Sequence, residues 1–228
     1  MKAILFGSIG TITDSSELQR ACYNQAFDQS GTAWHWGREQ YQSMLQIAGG
    51  KQRLLAFAAE RGQTVDVDRI HALKTSLFHH AMDKHSPSLR EGVAQTLEWI
   101  TEHQLILGLI SGTDPQTVSR TESIIKSVRA EGCDIVTNAH TVTKTKPSPA
   151  IYEYALAKLD LSPHDAIAIE DNPDGVSSAK SAGLTVIAFP GENNRTHCFD
   201  KTDFLVTDNL LQAVLNARDS KQAATAQA

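Results

Sequence analysis

Apolar residues recur with two different periods along this 228-residue chain, and each period predicts one kind of element. The uncharged run Ala3–Phe6 is followed by glycines at positions 7 and 10, a pattern typical of a buried strand that ends in a tight turn. From residue 15 to residue 86 the apolar spacing is helical. We predict an inserted helical module here, with one helix ending at Gly31 and others at about 38–47, 50–61 and 66–82.

Short apolar runs alternate with helical segments from residue 87 onward. Strand patterns lie at 105–110, 133–136, 166–169, 185–189 and 204–206, and helical patterns lie at about 90–103, 114–129, 148–159 and 173–182. This alternation predicts an α/β fold with a doubly wound parallel sheet. The predicted organisation is an α/β core of residues 1–14 and 87–217, an inserted helical cap of residues 15–86, and a polar, flexible tail of residues 218–228.

Composition narrows the classes of protein to which the chain can belong. A net charge of −5 and the lack of a basic run argue against nucleic-acid binding. No apolar stretch approaches the ~18 residues of a membrane span, and strand residues begin too early for a signal peptide. The three cysteines are far apart and odd in number, which is typical of free thiols in a reducing compartment. We expect a globular, cytoplasmic protein.

Two segments that follow predicted strands contain side chains that can bind an anion. Ser111 and Gly112 follow the strand 105–110, and a hydroxyl beside backbone N–H groups suits a phosphate oxygen. Lys146 precedes Pro147 in a polar loop, where its ammonium can neutralise a phosphoryl group. Each residue alone has a simpler explanation, Ser111 as a turn or cap residue and Lys146 as a solvated side chain.

Glu170 and Asp171 stand directly after the strand 166–169. Adjacent carboxylates repel each other, and hard oxygen ligands at the carboxyl end of a buried strand suit Mg²⁺. An equally good local explanation is that an Asp or Asn in this segment caps the helix that follows. The pair is therefore a candidate metal site with an open alternative.

The beginning of the chain resembles a known motif. Phosphatases of the haloacid dehalogenase superfamily open with an apolar strand followed by D-x-D-G-T-(L/I)-x-D, and this chain has G-S-I-G-T-I-T-D at residues 7–14. The order of the strand-end serine, the Lys-Pro pair and the Glu-Asp pair is similar to that family as well. The resemblance implies a phosphate site formed by Ser111, Gly112 and Lys146. It also implies a Mg²⁺ site formed by Glu170 and Asp171.

Both catalytic aspartates of that motif are absent. Gly7 stands at the position of the nucleophile and Ile9 at the position of the general acid/base, so we expect no intact catalytic residue there. Because successive side chains of a strand point to opposite faces, we predict that the Ser8 side chain points away from the side on which those of positions 7 and 9 lie. Only Glu170 and Asp171 remain as charged metal ligands, which predicts weak or absent Mg²⁺ binding.

The helical module narrows the resemblance to CbbY-like and β-phosphoglucomutase-like phosphatases. The segments that carry it include Arg20, Asn24, Trp34, Trp36, Tyr41 and Gly49–Arg53. CbbY-like phosphatases cleave a sugar bisphosphate that inhibits Rubisco. The resemblance implies that Glu17 belongs to the substrate site and that Lys51 and Arg53 hold the distal phosphate. Gln19 stands where many relatives carry His, and without the resemblance Gly49–Arg53 is a helix break with a solvated basic turn.

Three functions are compatible with the sequence. The leading hypothesis is a catalytically impaired relative of sugar-phosphate phosphatases that retains phosphate or phosphosugar binding. The second is an active phosphohydrolase with an unrecognised nucleophile. The third is a non-enzymatic regulatory protein whose cap binds a protein partner.

Overall fold

The structure, a computed structural model, describes residues 1–46, 49–85, 87–206 and 208–226. Parts of three predicted segments lie outside the described residues: Ile47 of the predicted helix 38–47, Ser86 of the predicted cap, and Gln227 and Ala228 of the predicted tail. Parallel strands form a six-stranded sheet: β1 (Ala3–Phe6), β2 (Ile106–Ile110), β3 (Ile135–Thr137), β4 (Ala166–Glu170), β5 (Thr185–Ala188) and β6 (Phe204–Leu205). The strand order β3-β2-β1-β4-β5-β6 changes direction between β1 and β4.

Helices surround the sheet and form the inserted module. In chain order they are α1 (Ile9–Ile12), α2 (Ser16–Ser30), α3 (Arg38–Met44), α4 (Gly50–Glu60), α5 (Val67–Lys84), α6 (Val93–Glu102), α7 (Pro115–Lys126), α8 (Ala150–Leu159), the short 3₁₀ helix Pro163–Asp165, α9 (Pro173–Ser181) and α10 (Leu210–Ala226). Most helix and strand bounds lie within a few residues of the predicted ones.

Both faces of the sheet are buried. Ile4 and Phe6 of β1 pack in a cluster with α6, α7 and α10, whereas Ala3 and Leu5 pack in a second cluster with α8 and α9. Successive strand side chains point to opposite faces, so one apolar run supplies both clusters. This two-sided burial explains why the strands are continuous hydrophobic runs in the sequence.

Helices α2 to α5 form a cap with a hydrophobic core of its own. That core is rich in aromatic rings, namely Tyr23, Phe27, Trp34, Trp36, Tyr41 and Phe57. The ring centres of Tyr23 and Trp36 are 4.6 Å apart, and those of Trp34 and Phe57 are 5.0 Å apart. Because these rings pack against one another, both tryptophans stabilise the cap from inside.

The end of the chain differs from the prediction. Residues 218–226, which the sequence pattern assigns to a flexible tail, continue helix α10. Lys221 anchors this polar part, because its Nζ donates to Ala166 O at 3.1 Å and to Thr185 Oγ1 at 3.0 Å. Across the described ranges, no helix is long and apolar enough to cross a membrane.

Candidate functional site

The carboxyl ends of β1 and β4 form the centre of the candidate site. These strands are neighbours at the point where the strand order changes direction, which is where open α/β sheets bind ligands. Gly7 follows β1, and its N–H still donates to Ile169 O of β4 at 2.8 Å. Position 7 therefore lies beside β4, at the carboxyl ends of the central strands.

The Glu170 side chain fills the space beside Gly7. A Cβ atom added at position 7 would lie closer than 3.0 Å to Glu170 Cδ and to Tyr152 Oη. A Cβ atom added at Gly175 would lie equally close to Glu170 Oε2. The carboxylate thus lies between two glycines, in space that a larger residue at either position would occupy.

Glu170 is fully buried and accepts two hydrogen bonds on one oxygen. Its Oε1 accepts from Lys146 Nζ and from Tyr152 Oη, each at 2.6 Å. Its Oε2 has no hydrogen-bond partner among the residues that the structure describes. Burial raises the pKa of Glu170, and the Lys146 ammonium opposes that rise. Burial, reinforced by the Glu170 charge, also raises the pKa of Tyr152, which keeps its hydroxyl a donor.

The ammonium group of Lys146 has acceptors within the protein for all of its hydrogens. Nζ contacts the carbonyl oxygens of Gly7 and Ile110, the latter at 3.0 Å, as well as the Glu170 carboxylate. An ammonium has three donors, so these contacts use them all. The side chains of this ion pair are 11% exposed at Lys146 and 0% exposed at Glu170. The lysine that the sequence assigns to phosphate binding is therefore neutralised inside the site.

Ser8 and Asp171 form a second polar contact in the crevice. Ser8 Oγ donates to Asp171 Oδ1 at 2.8 Å, and Asn172 Nδ2 donates to the same oxygen at 2.7 Å. The prediction that Ser8 points away is wrong, because α1 begins at Ile9 and strand alternation ends before it. Asn172 also caps α9 by accepting from Gly175 N at 2.9 Å, so the capping role considered for this segment belongs to it.

A cavity of about 170 Å³ lies between the core and the cap. The residues that line it include Ser8, Ile9, Gly10, Gln19, Tyr41, Arg53 and Asp171. Tyr41 is fully buried, and its hydroxyl has no hydrogen-bond partner within the described ranges. Small-molecule sites usually measure ~300–1,000 Å³, so this cavity suits a small ligand that can bond a buried hydroxyl.

Two cations are buried in the cap, and one of them, Arg53, lines this cavity. Arg53 is 8% exposed and Lys74 is 7% exposed. Lys74 Nζ donates to Gln19 Oε1 at 2.9 Å and lies 5.1 Å from the centre of the Tyr23 ring. Burial and then the Arg53 charge lower the pKa of Lys74 to about 7, and burial and then the Lys74 charge lower that of His71 to about 4. Like charges repel here, and a bound anion would relieve that repulsion.

Sequence reasoning missed Lys74, although the chain contains a signal for it. Lys74 lies on the buried stripe of α5 together with Ile70, Phe78 and Met82, four residues apart. A lysine at a position of the apolar period is unusual, because that face packs against the protein. Tyr152 was missed for the opposite reason, since an aromatic residue on the buried face of a helix is ordinary.

Lys51 and Glu17, which the resemblance assigns to the substrate site, lie elsewhere. Lys51 is exposed on the cap, where its Nζ pairs with Asp68 Oδ1 at 2.6 Å. Glu17 accepts from Arg20 Nε at 3.0 Å and from Asn193 Nδ2 at 2.6 Å. Neither residue is among those that line the cavity, so of the predicted cap residues only Arg53 faces it.

Ser111 and Gly112 lie at the carboxyl end of β2, next to the Ile110 carbonyl that Lys146 contacts. Ser111 is buried, and its Oγ accepts from Thr113 N at 3.3 Å, which is the turn role considered for it. Gly112 is exposed, and a Cβ atom there would meet no atom within 4 Å. The structure therefore brings these residues near Lys146 without placing them on the cavity wall.

A loop after β5 joins the core to the cap. Asn193 in this loop is 1% exposed. Its Nδ2 donates to Glu17 Oε1 at 2.6 Å and to Ser16 Oγ at 3.1 Å, and its Oδ1 accepts from Gln42 Nε2 at 2.9 Å. One core side chain thus holds two cap helices, which keeps the cap over the cavity.

Protein donors already engage one oxygen of each carboxylate in the crevice. Glu170 Oε1 is occupied by two donors and Asp171 Oδ1 by two more. Arg90 donates to Gly10 O at 2.8 Å and faces Asp171 with a fixed positive charge. Within the described part of the chain, no group of three His, Cys, Asp or Glu residues could hold a metal ion. A hard cation needs several oxygen ligands, and here the Lys146 ammonium already contacts one of the two Glu170 oxygens.

Residues 4–189 match the family model described as haloacid dehalogenase-like hydrolase. The chain therefore belongs to the haloacid dehalogenase-like hydrolases. It is similar to protein CbbY of Cereibacter sphaeroides, with 32% identity over 210 residues that cover 90% of this chain and 91% of the relative. The predicted family is thereby confirmed.

Solved structures agree with this assignment. CbbY from Rhodobacter sphaeroides in complex with phosphate has a TM-score of 0.80 and 32% identity, covering 90% of this chain and 93% of that one. A mutant of that protein has been solved with xylulose-(1,5)bisphosphate. β-Phosphoglucomutase from Clostridium difficile, at 16% identity and a TM-score of 0.78, covers 99% of both chains and shows the fold alone. The predicted fold class, a parallel α/β sheet with a helical cap, is confirmed.

Proposed function

We propose that this chain is a catalytically impaired member of its family that retains binding of a phosphorylated sugar or a phosphate anion. The observation that carries the proposal is that Gly7 and Ile9 offer no carboxylate and that Glu170 fills the space beside Gly7. Phosphoryl transfer to an aspartate requires a carboxylate aimed at phosphorus. By analogy with the loss of a serine nucleophile, we expect kcat to lie about 10⁶-fold below that of an intact relative.

The charges around the cavity support an anionic ligand. Arg53 lines the cavity, and Lys74 is buried behind the cavity residue Gln19, to which it donates; the mutual repulsion of these cations favours a negative group near Arg53. CbbY has been solved with phosphate and, as a mutant, with a sugar bisphosphate, which supports a phosphorylated sugar as the ligand class. We further propose weak or absent Mg²⁺ binding and a cytoplasmic location.

One contact favours a second candidate function, an active phosphohydrolase with Ser8 as the nucleophile. Ser8 Oγ donates to Asp171 Oδ1 at 2.8 Å on the wall of the cavity. In such a reaction Ser8 Oγ would attack phosphorus while the bond from phosphorus to the sugar oxygen breaks and the Ser8 proton passes to Asp171; the leaving sugar oxygen would take a proton from water, and a second water would hydrolyse the phosphoserine. Ile9 offers no acid for the leaving group, which is why this function ranks second.

Phosphate release from a panel of sugar phosphates and an aryl phosphate, measured with and without Mg²⁺, tests both functions. We expect no turnover above background and an increase in melting temperature with sugar phosphates. Turnover near an ordinary ~10 s⁻¹ would contradict the proposal. If Ser8→Ala abolished that turnover and Ser43→Ala, at an exposed serine, did not, the second function would replace it. Absence of both turnover and stabilisation would favour a cap that binds a protein partner.

A further inference from the structure

Two polar side chains on the wall of the cavity between core and cap carry hydrogen-bonding atoms that the protein leaves unmatched. Tyr41 belongs to α3 of the cap and is fully buried, and Asn194 belongs to the core loop after β5 and is 6% exposed. Neither Tyr41 Oη nor Asn194 Oδ1 has a hydrogen-bond partner in the part of the chain that the structure describes. Buried polar atoms are nearly always paired, so these two atoms point to a partner that is not part of the chain.

Other polar groups on the same wall already have partners within the protein. Ser8 Oγ donates to Asp171 Oδ1 at 2.8 Å, and Ser16 Oγ donates to Asp14 Oδ1 at 2.8 Å. The side-chain oxygen of Gln19 accepts from a buried ammonium of α5 at 2.9 Å. The unmatched tyrosine and asparagine therefore contrast with their neighbours on the wall.

The chemistry of the two atoms defines the group that would complete both of them. Burial raises the pKa of Tyr41, so its hydroxyl keeps its proton and can donate, whereas an amide oxygen such as Asn194 Oδ1 can only accept. A hydroxyl of a ligand accepts and donates at once, and so it can satisfy both atoms. A phosphate or carboxylate oxygen could serve only Tyr41, and on this wall it would also meet the carboxylates of Asp14 and Asp171.

The position of the two residues gives such a hydroxyl a structural effect. Because Tyr41 comes from the cap and Asn194 from the core, one ligand hydroxyl bonded to both would join α3 to the loop after β5. The cavity of about 170 Å³ is below the usual range of ligand sites, which favours a short carbon chain. A water molecule can make the same two bonds in the free protein. A ligand hydroxyl reproduces these bonds when it displaces that water, whereas a methylene group does not.

We propose that Tyr41 and Asn194 recognise a hydroxyl group on the carbon chain of the ligand, so that the crevice selects short hydroxylated phosphate esters over alkyl phosphates of the same charge and length. The inference rests on the proposed binding of a phosphorylated sugar in this crevice. It concerns the carbon chain of that ligand and adds two specificity-determining residues, one on each side of the cavity. A site built to bond a hydroxyl discriminates strongly against the analogue that lacks it, because the buried polar groups are then left unpaired.

The test compares two probes that differ only in their hydroxyls, glycerol 3-phosphate and n-propyl phosphate. Dissociation constants are measured by calorimetry in the presence of a chelator. The parent protein should bind glycerol 3-phosphate about tenfold or more tighter than propyl phosphate. Tyr41→Phe combined with Asn194→Leu removes both polar atoms at nearly constant shape, so the two probes should then bind to within about twofold of each other. The control Tyr154→Phe removes a hydroxyl at an exposed position of α8 and should leave the parent preference unchanged.

The single variant Tyr41→Phe keeps the proposal testable if the double variant does not fold. Without ligand its melting temperature should not fall below that of the parent, because the Tyr41 hydroxyl has no hydrogen bond to the described part of the chain. Its preference for glycerol 3-phosphate should be smaller than that of the parent, and an unchanged preference would overturn the inference. Equal binding of both probes by the parent would also overturn it and leave the proposed function standing. If the parent bound neither probe nor any phosphorylated sugar, the proposed function would fail and this inference with it.

Discussion

Placing aspartates at positions 7 and 9 should restore a phosphatase at a cost in stability. A side chain at position 7 would overlap Glu170 Cδ and Tyr152 Oη, so the Glu170 side chain has to leave Lys146. Overpacking of a filled interior costs about 1–3 kcal/mol, and separating a buried ion pair costs roughly 3–5 kcal/mol. Since folded proteins have only about 5–15 kcal/mol of stability, the double variant should be much less stable than the parent without metal.

Added Mg²⁺ should reverse part of that loss. The new carboxylates join Asp171 as hard oxygen ligands, and a cation that binds only the folded state stabilises it. The double variant should then release phosphate from some sugar phosphates at ~0.1 s⁻¹, about 10²-fold below an ordinary enzyme, because small errors in in-line geometry are costly. Gly7→Asp alone should accumulate a phospho-aspartate, detectable by mass spectrometry, because no base at position 9 activates water.

The matched control is Gly7→Asn with Ile9→Asn, which has nearly the same volume and no added charge. It should lose stability through overpacking but should neither respond to Mg²⁺ nor show activity. If the aspartate variant is as stable as the parent without metal, the inferred overlap with Glu170 is wrong. If it folds, binds Mg²⁺ and remains inert on every sugar phosphate tested, the remainder of the site is also unfit for catalysis.

Two other predictions concern the cap. Asn193→Ala removes hydrogen bonds to Ser16, Glu17 and Gln42 and should lower the free energy of unfolding, measured by urea titration, by about 1–3 kcal/mol. The control Asn216→Ala, at an exposed position, should leave the free energy of unfolding unchanged. Equal stabilities of the two variants would show that Asn193 does not hold the cap. The pKa of Lys74 is near 10.5 in the unfolded chain and about 7 in the folded protein. Between pH 7 and pH 10 the unfolded state therefore binds more protons than the folded state, so the free energy of unfolding should rise with pH over this range. Lys74→Met should flatten that rise and stabilise the protein at pH 7 by a few kcal/mol, and an unchanged pH profile would contradict the assigned burial.

Several parts of the site were accessible from local sequence. The run Ala3–Phe6 and the residues after each later strand predict which positions lie at one edge of the sheet, because parallel strands end together. The identities of Gly7 and Ile9 alone say that no carboxylate stands there. Arg53, which only the resemblance assigns to the substrate site, lines the cavity between core and cap.

Other parts required the fold. Lys51 and Arg53 are two residues apart, yet one pairs with Asp68 at the surface and the other is buried beside the cavity, a difference set by how α4 packs. Ser8 turned toward Asp171 because α1 begins one residue after it, earlier than strand alternation suggests.

By itself, the sequence determined the parallel α/β sheet, the inserted cap and the absence of a carboxylate at positions 7 and 9, because periodicity and residue identity are local properties. Only the tertiary structure decided that Glu170 fills the space beside Gly7 and neutralises Lys146. These residues come from segments far apart in the chain, and their contact depends on the packing of β1, β4 and α8 around a glycine. Which side chain enters an empty space is settled by its neighbours in three dimensions, since a close-packed interior leaves few voids.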